Sequence, residues 1–159
     1  FDSLTVEENV KFPLNIFTGL SNREKKQRID YCLDRVEVRE ANALYPSEIS
    51  GGMKKRVAIA RAIVLKPRYL FCDEPNSGLD PETSIVIDQL IQELTQELNT
   101  TTIINSHDMN SVLEIGDHVI FVYQGCMCWE GSKKEVLETD NEALNNFVFA
   151  TNMARQSKK

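Results

Sequence analysis

Two adjacent carboxylates, Asp73 and Glu74, follow a short apolar run, Tyr69-Leu70-Phe71-Cys72, and precede Pro75. A hydrophobic strand that ends in acids places them at the carboxyl edge of a sheet, where α/β folds bind their ligands. Two acids at such an edge can divide the work. One can support Mg²⁺ through its water shell while the other polarises an attacking water. Taken alone, the pair reads more readily as solvated acids in a strand-to-loop turn.

Three further clusters have chemical use. Ile49-Ser50-Gly51-Gly52-Met53 runs directly into a helix. Paired glycines let backbone approach a bulky anion, and the helix N-terminus behind them offers free N–H groups and a positive dipole end. Ser50 adds a hydroxyl, and Lys54, Lys55 and Arg56 raise the local potential; a simple serine–glycine cap fits the same pentapeptide. Ser77-Gly78-Leu79-Asp80-Pro81 is a turn ending in a helix cap. The strand over residues 101–104 leads into Asn105-Ser106-His107-Asp108, which puts His107 past a strand end, on the expected edge of Asp73 and Glu74. A histidine there can hydrogen-bond a terminal phosphate or be no more than exposed. His118 lies within the next strand and is assigned no function.

The elements that must position these residues read in two halves. Residues 5–44 are predicted helical, with capping-box spacing at Thr5…Glu8 and Ser21…Glu24 and a loop at Thr18-Gly19-Leu20. Tyr45-Pro46 is expected to end that region. A helix over 52–65 follows, then a buried strand over 69–72. A further helix is capped by Asp80 with Pro81 in its first turn, and its core face falls at Ile87, Leu90, Ile91, Leu94 and Leu98. A second buried strand spans 101–104, a short helix spans 108–115, and a hairpin turns at Gln124-Gly125. Ser132…Glu135 is expected to cap another helix, with a last one over 142–150 and a mobile polar tail over 151–159. Helices followed by strand–helix alternation indicate an α/β core preceded by a helical region.

Composition narrows the classes. The 159 residues carry 18 basic and 24 acidic side chains, net charge -6, which argues against a dedicated nucleic-acid binder. No stretch approaches the ~20 apolar residues of a membrane span, and the first ten residues have no signal-peptide pattern. Any membrane role is expected to come through a partner. Cys32, Cys72, Cys126 and Cys128 show no CxxC spacing; the last two, in an alternating apolar run, are expected to be buried thiols.

The order ISGGM, apolar helix, YLFCDEP, SGLDP, strand and SHD resembles the ABC ATPase family over residues 2–131. The resemblance implies a P-loop NTPase fold with a mostly parallel sheet plus an α-helical subdomain. Residues 1–66 would hold that subdomain with the signature loop and its helix, and 67–150 the C-terminal part of the ATPase core. It implies that Ser50, Gly51 and Gly52 belong to the signature loop that meets the γ-phosphate of ATP on the opposite subunit. Asp73 is similar to the Walker B aspartate on Mg²⁺, and Glu74 to the catalytic glutamate. Asp80 is similar to the D-loop aspartate and His107 to the switch histidine. The implied partners are a second ATPase subunit in a homodimer and a transmembrane permease, on the cytoplasmic face of a bacterial inner membrane. Met53, Ile49 and Asn76 replace the family's usual glutamine, leucine and threonine without removing a catalytic group.

None of the seven glycines is followed by lysine, so G-x-x-x-x-G-K-[ST] is not in this chain. The chain, which opens on Phe1, is accordingly expected to be a cut piece that neither binds ATP tightly nor hydrolyses it alone. SGGM, the opening segment and Trp129-Glu130-Gly131 resemble the Mla-type branch, which implies phospholipid or other lipid transport. Amino-acid importers and lipoprotein-release ATPases share the frame and are the alternative. ABC proteins of DNA repair or translation form a second alternative, disfavoured by the short uninterrupted segment over 5–47.

Overall fold

The computed structural model describes residues 1–148; the expected helix end at 149–150 and the tail at 151–159 lie outside the described residues. The chain divides into two compact units, Phe1–Asn105 and the residues from Ser106 onward.

The first unit begins with α1 (Val6–Phe17) and α2 (Asn22–Arg35), both started by the predicted capping boxes. The Thr5 hydroxyl accepts from the Glu8 N–H, and the Glu8 carboxylate accepts from the Thr5 N–H at 2.8 Å, so two otherwise orphan donors are satisfied together. The same reciprocal pair forms at Ser21 and Glu24. The helical region ends at Arg35 rather than near residue 44. Val36 and Val38 are both buried two residues apart, which extended chain achieves and a helix does not. Glu37 and Glu40 then take left-handed φ values of 54° and 64°. Pro46 opens a short 3₁₀ turn, Pro46–Glu48, instead of merely ending a helix.

The third helix, α3 (Gly51–Ile63), starts from Ser50, whose hydroxyl accepts from the Met53 N–H at 3.2 Å. Its far end is closed by Arg28 of α2, which donates to the Ile63 and Val64 carbonyls at 2.8 and 2.9 Å. Strand β1 (Tyr69–Asp73) leads through a turn to α4 (Pro81–Glu97) and then to β2 (Thr101–Asn105). The two strands pair in parallel, with Asp73 opposite Asn105. Ile87, Leu90, Ile91 and Leu94 of α4 are buried as predicted, and Leu98 packs against them partly buried.

Both strands were expected to be buried, and on one face only they are. Leu70 is buried, and Cys72 and Ile104 pack against the core, whereas Phe71 is 70% exposed and Tyr69 and Ile103 lie open beside it. Strand side chains alternate between faces, so an apolar run is buried throughout only where both faces are covered. The core of this unit crosses residue 66, joining Val57 and Ile63 to Leu70 and Leu94.

The second unit contains α5 (Met109–Ile115), capped by Asp108, and the antiparallel pair β3 (His118–Tyr123) and β4 (Cys126–Ser132). Gln124 and Gly125, at φ 50° and 77°, make the two-residue turn predicted for them. The expected helix after Ser132 is only a 3₁₀ turn, Glu135–Leu137, with Glu135 folded back on the Ser132 N–H and hydroxyl. Residues 142–148 are helical. Cys126 and Cys128 are exposed, contrary to the expectation of buried thiols. Both belong to the tip of the hairpin, where apolar alternation outruns the small cluster around Met109, Val136, Leu144 and Val148.

Candidate functional site

The two carboxylates end β1 as predicted, and the structure adds what holds them. Asp73 is exposed, and its Oδ1 accepts from the Asn105 Nδ2 at 2.7 Å. The two residues face each other across the parallel pair, so the sheet register itself delivers the amide to the acid. Glu74 leaves the strand with φ 47°, a left-handed conformation that costs a non-glycine residue on the order of 1–3 kcal/mol and persists where its surroundings fix it. Three contacts do so. The Glu74 N–H donates to the Asn105 carbonyl at 2.8 Å, and the Glu74 carbonyl accepts from the Ser77 N–H at 3.1 Å and from the Lys55 Nζ at 3.2 Å. The bend turns the chain off the sheet edge immediately after Asp73.

The turn that follows is built from polar contacts. Asn76 Nδ2 donates to Oδ1 of Asp88, an α4 acid only 4% exposed, at 2.7 Å. Asp80 accepts from the Thr83 N–H at 2.9 Å and from the Thr83 hydroxyl at 2.6 Å. The Thr83 hydroxyl first, and the Thr83 N–H after it, hold the Asp80 carboxyl below its ordinary range. Asp80 is thus the helix cap the sequence predicts, already engaged within its own chain.

Ser50 and Gly51 are exposed at the start of α3, with Gly52 half-covered beside them. A side chain at Gly52 would meet the Thr83 Cγ2 at 3.0 Å, while Gly51 has only the Leu79 Cδ2 at 3.8 Å. The close approach that glycine permits at position 52 is therefore to α4 of the same unit. Gly51 keeps the open side. The first unit gathers Ser50, Gly51, Gly52, Asp73, Glu74 and Asp80 around the α3 N-terminus and the β1–α4 turn. His107 is exposed and belongs to the second unit.

Four residues that the motifs did not assign hold this arrangement: Lys55, Asn105, Thr83 and Asp88. Asn105 had a signal, since it ends β2 as Asp73 ends β1, five residues into each strand. Lys55 was read only as positive charge beside the glycines and Thr83 not at all, because only the packing of α3 on the turn brings them to it.

The ABC transporter family matches residues 1–77. The ATP-binding cassette MJ0796, in a dimeric post-hydrolysis state bound to ADP and Pi, is 32% identical with a TM-score of 0.73, over 84% of this chain and 58% of its own. The chain belongs to the ABC transporter ATP-binding family. It has the P-loop NTPase α/β fold of those cassettes, and cbiO1 from Clostridium perfringens, part of the ABC transporter complex cbiONQ, aligns over 99% of it and 62% of its own chain at a TM-score of 0.79 and 30% identity. The methionine import ATP-binding protein MetN of Streptococcus pneumoniae is 40% identical over 92% of this chain and 41% of its own length. MetN 1 of Enterococcus faecalis is 43% identical over 77% and 34%. This ABC chain thus spans about two-fifths of the length of such relatives. These relatives are named for methionine import, not for the lipid transport of the Mla-type branch that was expected. SGGM and the hairpin end are short features within a frame the branches share.

Proposed function

We propose that this protein is the ATP-binding, ATP-hydrolysing subunit of an ABC transporter that imports an amino acid of the methionine class. The observation that carries the reading is 40% identity to a methionine import ATP-binding protein over 92% of the chain, with every signature and carboxylate motif inside that stretch. Residues 1–66 serve as the helical subdomain and 67–150 as part of the ATPase core. Phe12, Ile16 and Phe17 expose apolar surface on α1, and this is the surface we assign to the permease. No helix among the described residues is long and apolar enough to cross a membrane, so the permease supplies the spans, with this subunit on the cytoplasmic face of the inner membrane.

The roles follow from placement. Asp73 offers one exposed carboxylate held by Asn105, and the described residues form no closed cage of three or more metal-ligating side chains. That donor set fits Mg²⁺, which keeps waters and substrate phosphates in its shell. Bound Mg²⁺ would neutralise charge developing on the phosphates. Glu74 polarises the attacking water from the bend beside it. Ser50, Gly51 and Gly52 present a hydroxyl and the α3 N-terminal N–H groups to the γ-phosphate held by the opposite subunit of a homodimer. Asp80 relays across that interface, and His107 contacts the γ-phosphate.

Glu74→Gln in the intact subunit is expected to keep ATP binding and to lower turnover by about 10²–10⁴-fold, the range for losing a positioned base. Unchanged turnover would remove the role given to Glu74. Uptake of labelled methionine by cells lacking this subunit separates the transport readings. Uptake restored by the intact subunit is the expected result; intact uptake with impaired phospholipid transfer would overturn the amino-acid reading.

A further inference from the structure

Gly52 and Lys55 stand three residues apart on α3, a spacing that puts them on one face of the helix. Gly52 faces the first turn of α4, and Lys55 reaches the bend that carries Glu74. The Cα of Gly52 lies against Thr83, where a side chain would meet the Thr83 Cγ2 at 3.0 Å, and the Lys55 ammonium donates to the Glu74 carbonyl at 3.2 Å. One contact is steric and so close that an added Cβ would push the Thr83 methyl aside by a few tenths of an ångström. The other is polar and ends on the peptide of the very residue assigned to the attacking water.

That peptide sits in a conformation needing support. Glu74 is at φ 47°, and β2 and the turn hold it through Asn105 and Ser77. Lys55 adds a third contact, and of these three it is the one that comes from the helix whose N-terminus bears Ser50, Gly51 and Gly52. We propose that Lys55 is a positioning residue: it ties the signature helix to the Glu74 peptide, so that the attitude of α3 sets where the Glu74 carboxylate points. Its hydrogen bond to a backbone oxygen does not depend on the Glu74 side-chain charge. A displacement of α3 is therefore transmitted to the bend itself. The inference rests on the reading of Glu74 as the water-polarising group.

The test compares Lys55→Met, which keeps the stem and removes the ammonium, with Lys55→Arg, which restores a donor, in the intact subunit assembled with its partners. Lys55→Met is expected to lower kcat for ATP about tenfold, equivalent to about 1.4 kcal/mol, with KM for ATP and the melting temperature unchanged. Lys55→Arg is expected to recover most of the rate. A kcat unchanged in Lys55→Met overturns the proposal. So does a loss of kcat that comes with a fall in melting temperature and no recovery in Lys55→Arg, which would mark Lys55 as a packing residue. Glu74→Gln measured alongside separates the two claims. If it turns over normally, the reading of Glu74 fails and the positioning role falls with it; if it is inactive while Lys55→Met is normal, the positioning role fails alone.

Discussion

The two compact units are stabilised on different scales. In the first, a continuous apolar core runs from Val6 and Val10 through Ile29, Ile63 and Leu70 to Leu94, and its six largest fully buried side chains, Leu14, Ile29, Ile63, Ile87, Ile91 and Leu94, all lie on α1, α2, α3 and α4. In the second, the described cluster is Met109, Val136, Leu144 and Val148, with half-covered side chains such as Phe121 and Trp129 around it. Ser50, Gly51, Gly52 and both carboxylates are anchored in the first unit; His107 is carried by the second. Of the residues proposed to act on the nucleotide, all but His107 thus rest on the larger core. The contrast is energetic, and truncation tests it most strongly. Leu94→Ala, at a fully buried α4 position, is expected to cost about 2–5 kcal/mol in urea unfolding. Val136→Ala in the second unit removes less surface and is expected to cost roughly 1–2 kcal/mol. Equal losses would erase the distinction.

Much of this division was legible before the fold was known. Both capping boxes, the Asp80–Pro81 helix start and the Gln124-Gly125 turn are local devices, set by residues within three or four positions of one another, and each formed where predicted. The misplacements came from what sequence neighbours cannot report. Tyr69, Phe71 and Ile103 are as apolar as Leu70 and Ile104, and only the packing of helices on one side of β1 and β2 decides which are covered. The same blindness put Cys126 and Cys128 inside. The site divides likewise: Ser50, Asp73, Glu74 and Asp80 were found from motif and strand-end position. The contacts of Lys55, read only as local positive charge, and of Thr83 were missed because they join residues 19 and 31 positions away, to Glu74 and Gly52 respectively.

Cysteine chemistry sharpens the contrast at the level of single side chains. Cys32 is wholly buried in the first core, and burial raises its thiol from 9.0 to about 11. Cys126 and Cys128 are exposed on the hairpin of the second unit. A maleimide at neutral pH is expected to label Cys126 and Cys128 quickly and Cys32 only after unfolding, read by peptide mass. Because the folded Cys32 holds its proton more tightly than the unfolded chain does, its contribution is complete below pH 9 and lost as pH rises through about 11. That alkaline loss is on the order of 2 kcal/mol and should vanish in Cys32→Ala. Fast labelling of Cys32 in the folded protein would mean that the first core opens as readily as the hairpin.

The smallest effect belongs to surface charge in the first unit, and its size is the point. The Glu7 carboxylate of α1 accepts from the Lys26 ammonium of α2 at 2.9 Å and from the Asn42 amide at 3.2 Å, while Lys26 also meets Asp30 at 2.9 Å. The Lys26 bond, ahead of the opposing effect of burial, holds the Glu7 carboxyl below its ordinary 4.5. A depressed acid stabilises the fold above the unfolded value and loses that contribution as pH falls through the folded one, so the loss begins near pH 4.5 and continues below it. Both groups remain substantially exposed, and solvent screening limits the pair to roughly 0.5 kcal/mol. Lys26→Met is therefore expected to flatten the stability curve slightly below pH 4.5 and to shift the neutral-pH urea midpoint far less than Leu94→Ala does. A Lys26→Met loss comparable to Leu94→Ala would show that α1 and α2 are held together by charge, and the first unit would no longer differ from the second in the depth of its core.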